Sequence, residues 1–306
     1  MCRVCEQFEA REAAASLLCS HGAVAQLVEH HDGIVGVARS SRVSSTLGSF
    51  LALVQGAGFL LGGLVAGEGS FVVSRLRLVR ADGSPRLRFI FCVTLASRDR
   101  ALLAALRTFL GTGSIQDRQP PKDHWQPTSE FRVSSHRAHR AVTIPFAEHF
   151  LLPSARRMQF EQWRDALGAY EKTGLAGEDA PSAPRRDATS QSGAAVCADP
   201  TTTVSPDIDA LALFAAGVVA GEGCFTRTQS GGHPRFMFEV GMGATDTHLC
   251  GFLRDLLGVG RLHFSPRRRP HYDDEITYVV GRLRDLVEVV IPFMDGHLPP
   301  SYKRVQ

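Results

Sequence analysis

The chain has 306 residues, 44% of them hydrophobic, enough to bury one large core or two smaller ones. Its formal net charge is only +3, yet from Ser70 to Asp165 sixteen Lys/Arg stand against eight Asp/Glu, a local excess that suits a polyanionic partner. Seven scattered cysteines, an odd number, argue against a disulfide framework and for a reducing compartment, and Cys2-x-x-Cys5 with Cys19 and His21 completes no zinc spacing.

In chain order, no secretory leader is expected, because Glu6, Glu9 and Arg11 precede the first apolar run. The stretch VAQLVEH back-translates as GTAGCTCAGTTGGTAGAGCAC, like a tRNA D-arm, and RSSRV can enclose TTCGAGTC, like a T-loop. Residues 1–49 are therefore expected to be an extension without an evolved fold. Residues 47–67 are nearly uncharged and about as long as a membrane span. Gln55 and six glycines in that stretch point instead to helices packed on each other, so no membrane is expected as a partner. The pattern then predicts strands over 71–80 and 86–95, joined by a turn at 81–85, and an amphipathic helix over 99–110 that stops at Gly111. A second hairpin follows over 115–119 and 130–134, and then helices over 136–149 and 155–167. Residues 171–206 are rich in Ala, Ser, Thr, Pro, Gly and Asp and are expected to be a flexible linker. A second series follows, with strands over 236–242, 261–264 and 276–280 and helices over 247–257 and 282–289.

The second series repeats the first. LGGLVAGEG at 61–69 is answered by AAGVVAGEG at 215–223, an offset of 154, and each copy continues into Phe71 or Phe225. Further on the offset is 147: LGTGSI at 110–115 answers LGVGRL at 257–262, and the two IPF and the PSARRMQ/PSYKRVQ segments follow. Ala96-Ser97-Arg98-Asp99 answers Ala244-Thr245-Asp246-Thr247 more loosely. Copy two has thus lost seven residues, most simply in its first hairpin. It stops at Gln306, where copy one runs on as FEQWRDALGAY, so a final helix is expected to be missing there. The expected layout is an extension (1–49), a first unit (50–170), a linker (171–206) and a second unit (207–306).

Gly63 and Gly67 are four apart, as are Gly217 and Gly221, so each pair lies on one helix face where two backbones can approach closely. Glycine weakens a helix by about 1 kcal/mol relative to alanine, so this many in one helix implies a packing seam. Glu68 and Glu222 are the first charged side chains at the ends of their apolar helices. A symmetric seam brings the two carboxylates together, which is unfavourable unless one is protonated or a cation lies between them. Such oxygen ligands suit Mg²⁺.

Both copies of this segment resemble the nine-residue motif of the LAGLIDADG homing endonucleases, over about 59–167 and 211–306. The sixth motif position is Ala in both copies (Ala66, Ala220), whereas the eighth, which carries the family's catalytic acid, is Glu68 and Glu222. The resemblance implies an α+β fold of two pseudo-twofold-related αββαββα units in one chain, with saddle-shaped antiparallel sheets over DNA. It implies a site-specific double-stranded DNA endonuclease, Mg²⁺-dependent and monomeric, acting in the cytoplasm with the nucleoid or in an organelle. Glu68 and Glu222 would be catalytic, and Mg²⁺ would be held by them with Gly67 and Gly221. The family often adds a helper Lys or Gln near the metals, and nothing in the sequence places it. Weakened activity is expected from the missing last helix. The competing readings are an RNA maturase and a DNA-binding regulator that does not cut.

Strand cations are the expected DNA contacts: Arg75, Arg77, Arg86, Arg88 and Arg132 in copy one, Arg227 and Arg235 in copy two. Lys122 and the trio Arg267, Arg268 and Arg269 lie in loops of the second hairpins and are expected to meet backbone phosphates. His124, His233 and His271 share that placement and are read as ordinary exposed histidines.

Overall fold

The computed structural model describes residues 41–79, 85–120, 122, 125–172, 206–266 and 273–305. Most of the expected extension, most of the expected linker, and Arg267, Arg268, Arg269, His124 and His271 lie outside the described residues. The first unit is α1 (Ser41–Glu68), β1 (Gly69–Val79), β2 (Pro85–Ala96), α2 (Arg100–Leu110), β3 (Ser114–Arg118), β4 (Thr128–Val133), α3 and α4 (Ala155–Tyr170). Helix α3 comprises His136–Ala138, a wider π turn over His139–Thr143, and Ile144–Phe150. The second unit is α5 (Ile208–Glu222), β5 (Gly223–Ser230), β6 (His233–Gly243), α6 (Thr247–Leu257), β7 (Arg261–Ser265), β8 (Glu275–Val280) and α7. Helix α7 comprises Leu283–Asp285, a π turn over Leu286–Val290, and Ile291–His297. The chain is thus α+β, with antiparallel sheets ordered β1-β2-β4-β3 and β5-β6-β8-β7. No helix among the described residues is long and apolar enough to cross a membrane.

Several elements follow from local chemistry. Both π turns precede an Ile-Pro-Phe, at Pro145 and Pro292. Proline cannot donate to the carbonyl four residues back and clashes with it, and a wider turn accommodates both defects. The lost seven residues do lie in the first hairpin: β1 pairs with β2 across residues 80–84, whereas Ser230 pairs with His233 around Gly231-Gly232. Those glycines have φ of 59° and 78°, the conformation a two-residue hairpin demands. The loose match near Asp99 is corrected by one residue. The short 3-10 turns Ser97–Asp99 and Ala244–Asp246 are equivalent, so the 147 offset pairs Asp99 with Asp246. The first motif helix begins at Ser41, upstream of the boundary drawn at residue 50.

The motif helices α1 and α5 pack along each other, and each also touches the first two strands of its own sheet. A Cβ on Gly63 would overlap the Phe214 carbonyl oxygen and stand 2.9 Å from the Val218 nitrogen; one on Gly217 would overlap the Leu60 carbonyl oxygen and stand 2.8 Å from the Leu64 nitrogen. Backbone meets backbone on both sides, and only glycine permits it. On the helix side of the first sheet, Phe71, Phe91, Phe131 and Phe160 are buried with Trp163, whose Nε1 donates to the Val72 carbonyl at 3.2 Å. Trp163 also packs edge-on against Phe89 and against His139, at 5.9 and 4.8 Å between ring centres.

The second unit differs at this point. Where α4 begins in copy one, a 3-10 turn over Tyr302–Val305 follows α7. Phe236, at the position equivalent to the fully buried Phe89, is 43% exposed.

Candidate active site at the paired motif helices

The motif helices end at Glu68 and Glu222, and the chain passes directly into β1 and β5. The seam that unites Gly63 with α5 therefore also juxtaposes the carboxylates. A Cβ on Gly221 would stand 2.7 Å from the Glu68 Cγ and 3.7 Å from its Oε1; one on Gly67 would stand 2.9 Å from the Glu222 Cγ and 3.7 Å from its Oε1. Each side chain lies flat over the other helix's glycine, so Gly67 and Gly221 serve the site first as empty space. Gly63 and Gly217 do the same one turn earlier.

Burial, and then the neighbouring Glu222, lift the Glu68 carboxyl from its ordinary 4.5 to about 7, against the pull of Lys303 and Arg156. Burial also raises Glu222, with Lys303 and Arg156 opposing and Asp246 adding to the rise. Two half-buried carboxylates that resist ionisation together form an electrostatic gap suited to a cation. Two hard oxygen donors, with backbone carbonyls beside them, fit a divalent ion of the magnesium or calcium kind. Among the described residues no group of three or more His, Cys, Asp or Glu side chains is placed to hold a metal.

Two cations that sequence reasoning could not place complete the site. Arg156 Nη2 donates to the Gly67 carbonyl at 3.2 Å and Nη1 donates to Gln159 Oε1 at 2.6 Å. Its Nε is buried without a hydrogen-bond partner, and burial lowers its pKa while Asp246, Glu222 and Glu68 support its charge. Lys303 donates from Nζ to the Gly223 carbonyl. Arg156 and Lys303 are equivalent at the 147 offset, and the signal was in plain view: the fourth residue of PSARRMQ and PSYKRVQ is basic in both copies.

Strand alternation sorts the remaining candidates between the two sheet faces. Phe71 opposes Phe91 and faces the helices, so Arg75, opposite Leu87, shares that side, whereas Arg88, opposite Ser74, and Arg86 lie on the open side. Arg132, opposite Cys92 and Ser114, is on the open side as well. In the second sheet Arg235, opposite Thr228, is on the open side and Arg227, opposite Phe236, on the helix side. The expectation that all these arginines share one surface is therefore corrected for Arg75 and Arg227. Arg77 lies within the irregular stretch of β1 between Arg75 and Val79, so alternation does not assign it a face. The same alternation adds Arg118, Arg261 and His263 to the open faces. There Arg118 and Arg132 both pair with the buried Glu130, at 2.7 and 2.6 Å. Lys122 is exposed in the β3–β4 loop, 5.2 Å from the Trp125 ring centre, and His233 is exposed in its hairpin.

Residues 61–167 match the family described as LAGLIDADG endonuclease. No curated protein matches the sequence. Among solved structures, the I-LtrWI LAGLIDADG homing endonuclease bound to target DNA aligns at 19% identity over 82% of this chain and 87% of its own, with a TM-score of 0.61. I-SmaMI bound to an uncleaved DNA target in the presence of calcium ions aligns at 19% identity over 81% and 86%, with a TM-score of 0.59. I-GzeII in complex with its DNA target aligns at 17% over 81% and 86%, also at 0.59. The first unit thus carries the sequence signature of the LAGLIDADG endonucleases, and the chain as a whole has the fold of the LAGLIDADG homing endonucleases, with two units in one chain.

Proposed function

We propose that the protein is a site-specific endonuclease that hydrolyses phosphodiester bonds in double-stranded DNA, with Mg²⁺ held between Glu68 and Glu222. The observation that carries this reading is the pair of carboxylates forced together at the glycine seam, with the Glu68 carboxyl lifted to about 7. The DNA-bound state of the structural neighbours supports a DNA partner. One chain supplies both halves of the pseudo-twofold site, so the active species is a monomer.

Duplex DNA lies across the open sheet faces, where Arg88, Arg132 and Arg235 meet it, and Lys122 with Arg267, Arg268 and Arg269 meets flanking phosphates. Glu68 and Glu222 would hold the cation, beside the backbone of Gly67 and Gly221. A Mg²⁺ ion held there would supply Lewis-acid activation of water and charge stabilisation for the phosphate and the leaving 3′ oxygen. Arg156 and Lys303 stand on either side of the carboxylates and offset charge that develops on the phosphates.

The test compares wild type with Glu68→Gln and Glu222→Gln on a duplex that the wild type itself selects from a randomised pool in Ca²⁺. Affinity in Ca²⁺ should change little, while cleavage in Mg²⁺ should fall by about a hundredfold or more, the scale of several kcal/mol of charge stabilisation. Both variants cutting at the wild-type rate would end this reading. Tight binding by a wild type that cuts neither strand would point to a regulator that only binds.

A further inference from the structure

Each basic residue of the candidate site is approached from the opposite unit. Asp99 of the first unit, 6% exposed, accepts the backbone N–H of Tyr302 at 2.7 Å, one residue before Lys303. Asp246 of the second unit accepts the backbone N–H of Ala155 at 2.6 Å, one residue before Arg156. Both contacts obey the 147 offset at every member: Asp99 with Asp246, Tyr302 with Ala155, Lys303 with Arg156. A coincidence would not recur in register on both sides of a pseudo-twofold axis.

The chemistry explains what the aspartates fix. The first N–H groups of a helix lack internal partners, and Ala155 opens α4. A carboxylate there makes a charge-assisted bond and meets the positive end of the helix dipole. At Tyr302 the following 3-10 turn spans only Tyr302–Val305, and Arg98 adds a second clamp, its guanidinium 3.4 Å from the Tyr302 ring centre. Anchoring then passes along the chain. The residue after each captured N–H sends its cation to the end of its own unit's motif segment, Arg156 to the Gly67 carbonyl and Lys303 to the Gly223 carbonyl.

We propose that Asp99 and Asp246 are positioning residues: each unit's aspartate sets the other unit's basic side chain over the glutamate pair. The strand-specific consequence rests on the endonuclease reading. The scissile phosphates of a duplex lie on different strands, related by the same pseudo-twofold axis as Arg156 and Lys303, so each cation serves one strand. Loss of Asp99 should then disable Lys303 and one strand, and loss of Asp246 should disable Arg156 and the other.

The experiment uses the full chain with Asp99→Ala, Asp99→Asn, Asp246→Ala, Lys303→Ala and Arg156→Ala, and the double variant of Asp99→Ala with Lys303→Ala, and has two arms. Without DNA, amide exchange is followed at Tyr302 and at Ala155. Asp99→Ala should speed exchange at Tyr302 about tenfold, the worth of a hydrogen bond to a charged group, and leave Ala155 protected. Asp246→Ala should do the converse. Asn, whose amide oxygen still accepts, should restore most of the protection. In the second arm, the selected duplex is labelled on either strand and cut in Mg²⁺. Asp99→Ala should slow the strand that Lys303→Ala slows, without further loss in the double variant, while Asp246→Ala should follow Arg156→Ala. Unchanged exchange at Tyr302, equal slowing of both strands, or multiplying effects of Asp99→Ala and Lys303→Ala would each overturn the proposal. A wild type that cuts neither strand would defeat the endonuclease reading, while the exchange arm would still decide the coupling.

Discussion

Replacing Glu68 by Gln probes the electrostatics of the seam without DNA. The folded protein keeps a proton on Glu68 up to about pH 7, whereas an ordinary carboxyl in the unfolded chain has released it near 4.5. Between those values the native state binds more protons than the unfolded state, so the Glu68 contribution to stability falls as pH rises from 4.5 to 7 and stays low above it. At about 1.4 kcal/mol per pH unit the gap is worth about 3 kcal/mol, and partial solvent access trims it to about 2 kcal/mol. Gln has nearly the same shape and no charge, so it escapes this cost. Urea titrations in the presence of a chelator should find the variant and the wild type similar near pH 5, with the variant ahead by about 2 kcal/mol at pH 8. The difference between the two curves is the quantity to read, because His139 acts in the opposite sense. Burial lowers it from 6.5 to about 4, so the unfolded chain takes up that proton first and stability is lost as pH falls from 6.5 to 4. Parallel curves for the two proteins, or a variant less stable at pH 8, would refute the claim that the paired carboxylates are held together at a cost.

Gly63→Ala and Gly217→Ala force a methyl group onto a facing backbone and should each cost about 3 kcal/mol. Gly168→Ala, in α4 with nothing within 4 Å of the added atom, should instead gain up to about 1 kcal/mol; similar melting temperatures for all three would contradict the seam. Trp163→Ala uncovers Phe71 and Phe89 and should cost about 3–5 kcal/mol in denaturant titrations. A loss under about 1 kcal/mol would mean that α4 does not close the first core. For DNA bound in Ca²⁺, Arg88→Ala and Arg235→Ala should each flatten the slope of log affinity against log salt by about 0.9 per lost phosphate contact. Arg75→Ala, on the helix side, should leave it unchanged; the reverse ranking would put the DNA on the wrong sheet face.

The sequence by itself determined the elements and their duplication. Period-two strands, the glycine stops and the repeated GLVAGEG/GVVAGEG segments depend on neighbours a few residues apart, and such signals survive without a fold. The glutamates were legible for the same reason, since each is the first charge after an apolar helix and occurs twice. The face assignment of Arg75 and Arg227 was not, because two arginines two apart share a face whichever face it is, and only pairing with Leu87 and Phe236 fixes which. Arg156 and Lys303 lie 88 and 81 residues beyond the glutamates they approach in their own units, so sequence spacing carries no distance between them. Their positions depend on α4 and the last turn folding back over the motif helices, held by Asp246 and Asp99 from the opposite units. Local spacing thus fixes what each segment becomes, while long-range packing decides which side chains share a site, because charge interactions and hydrogen bonds act over a few ångströms of space and are blind to distance along the chain.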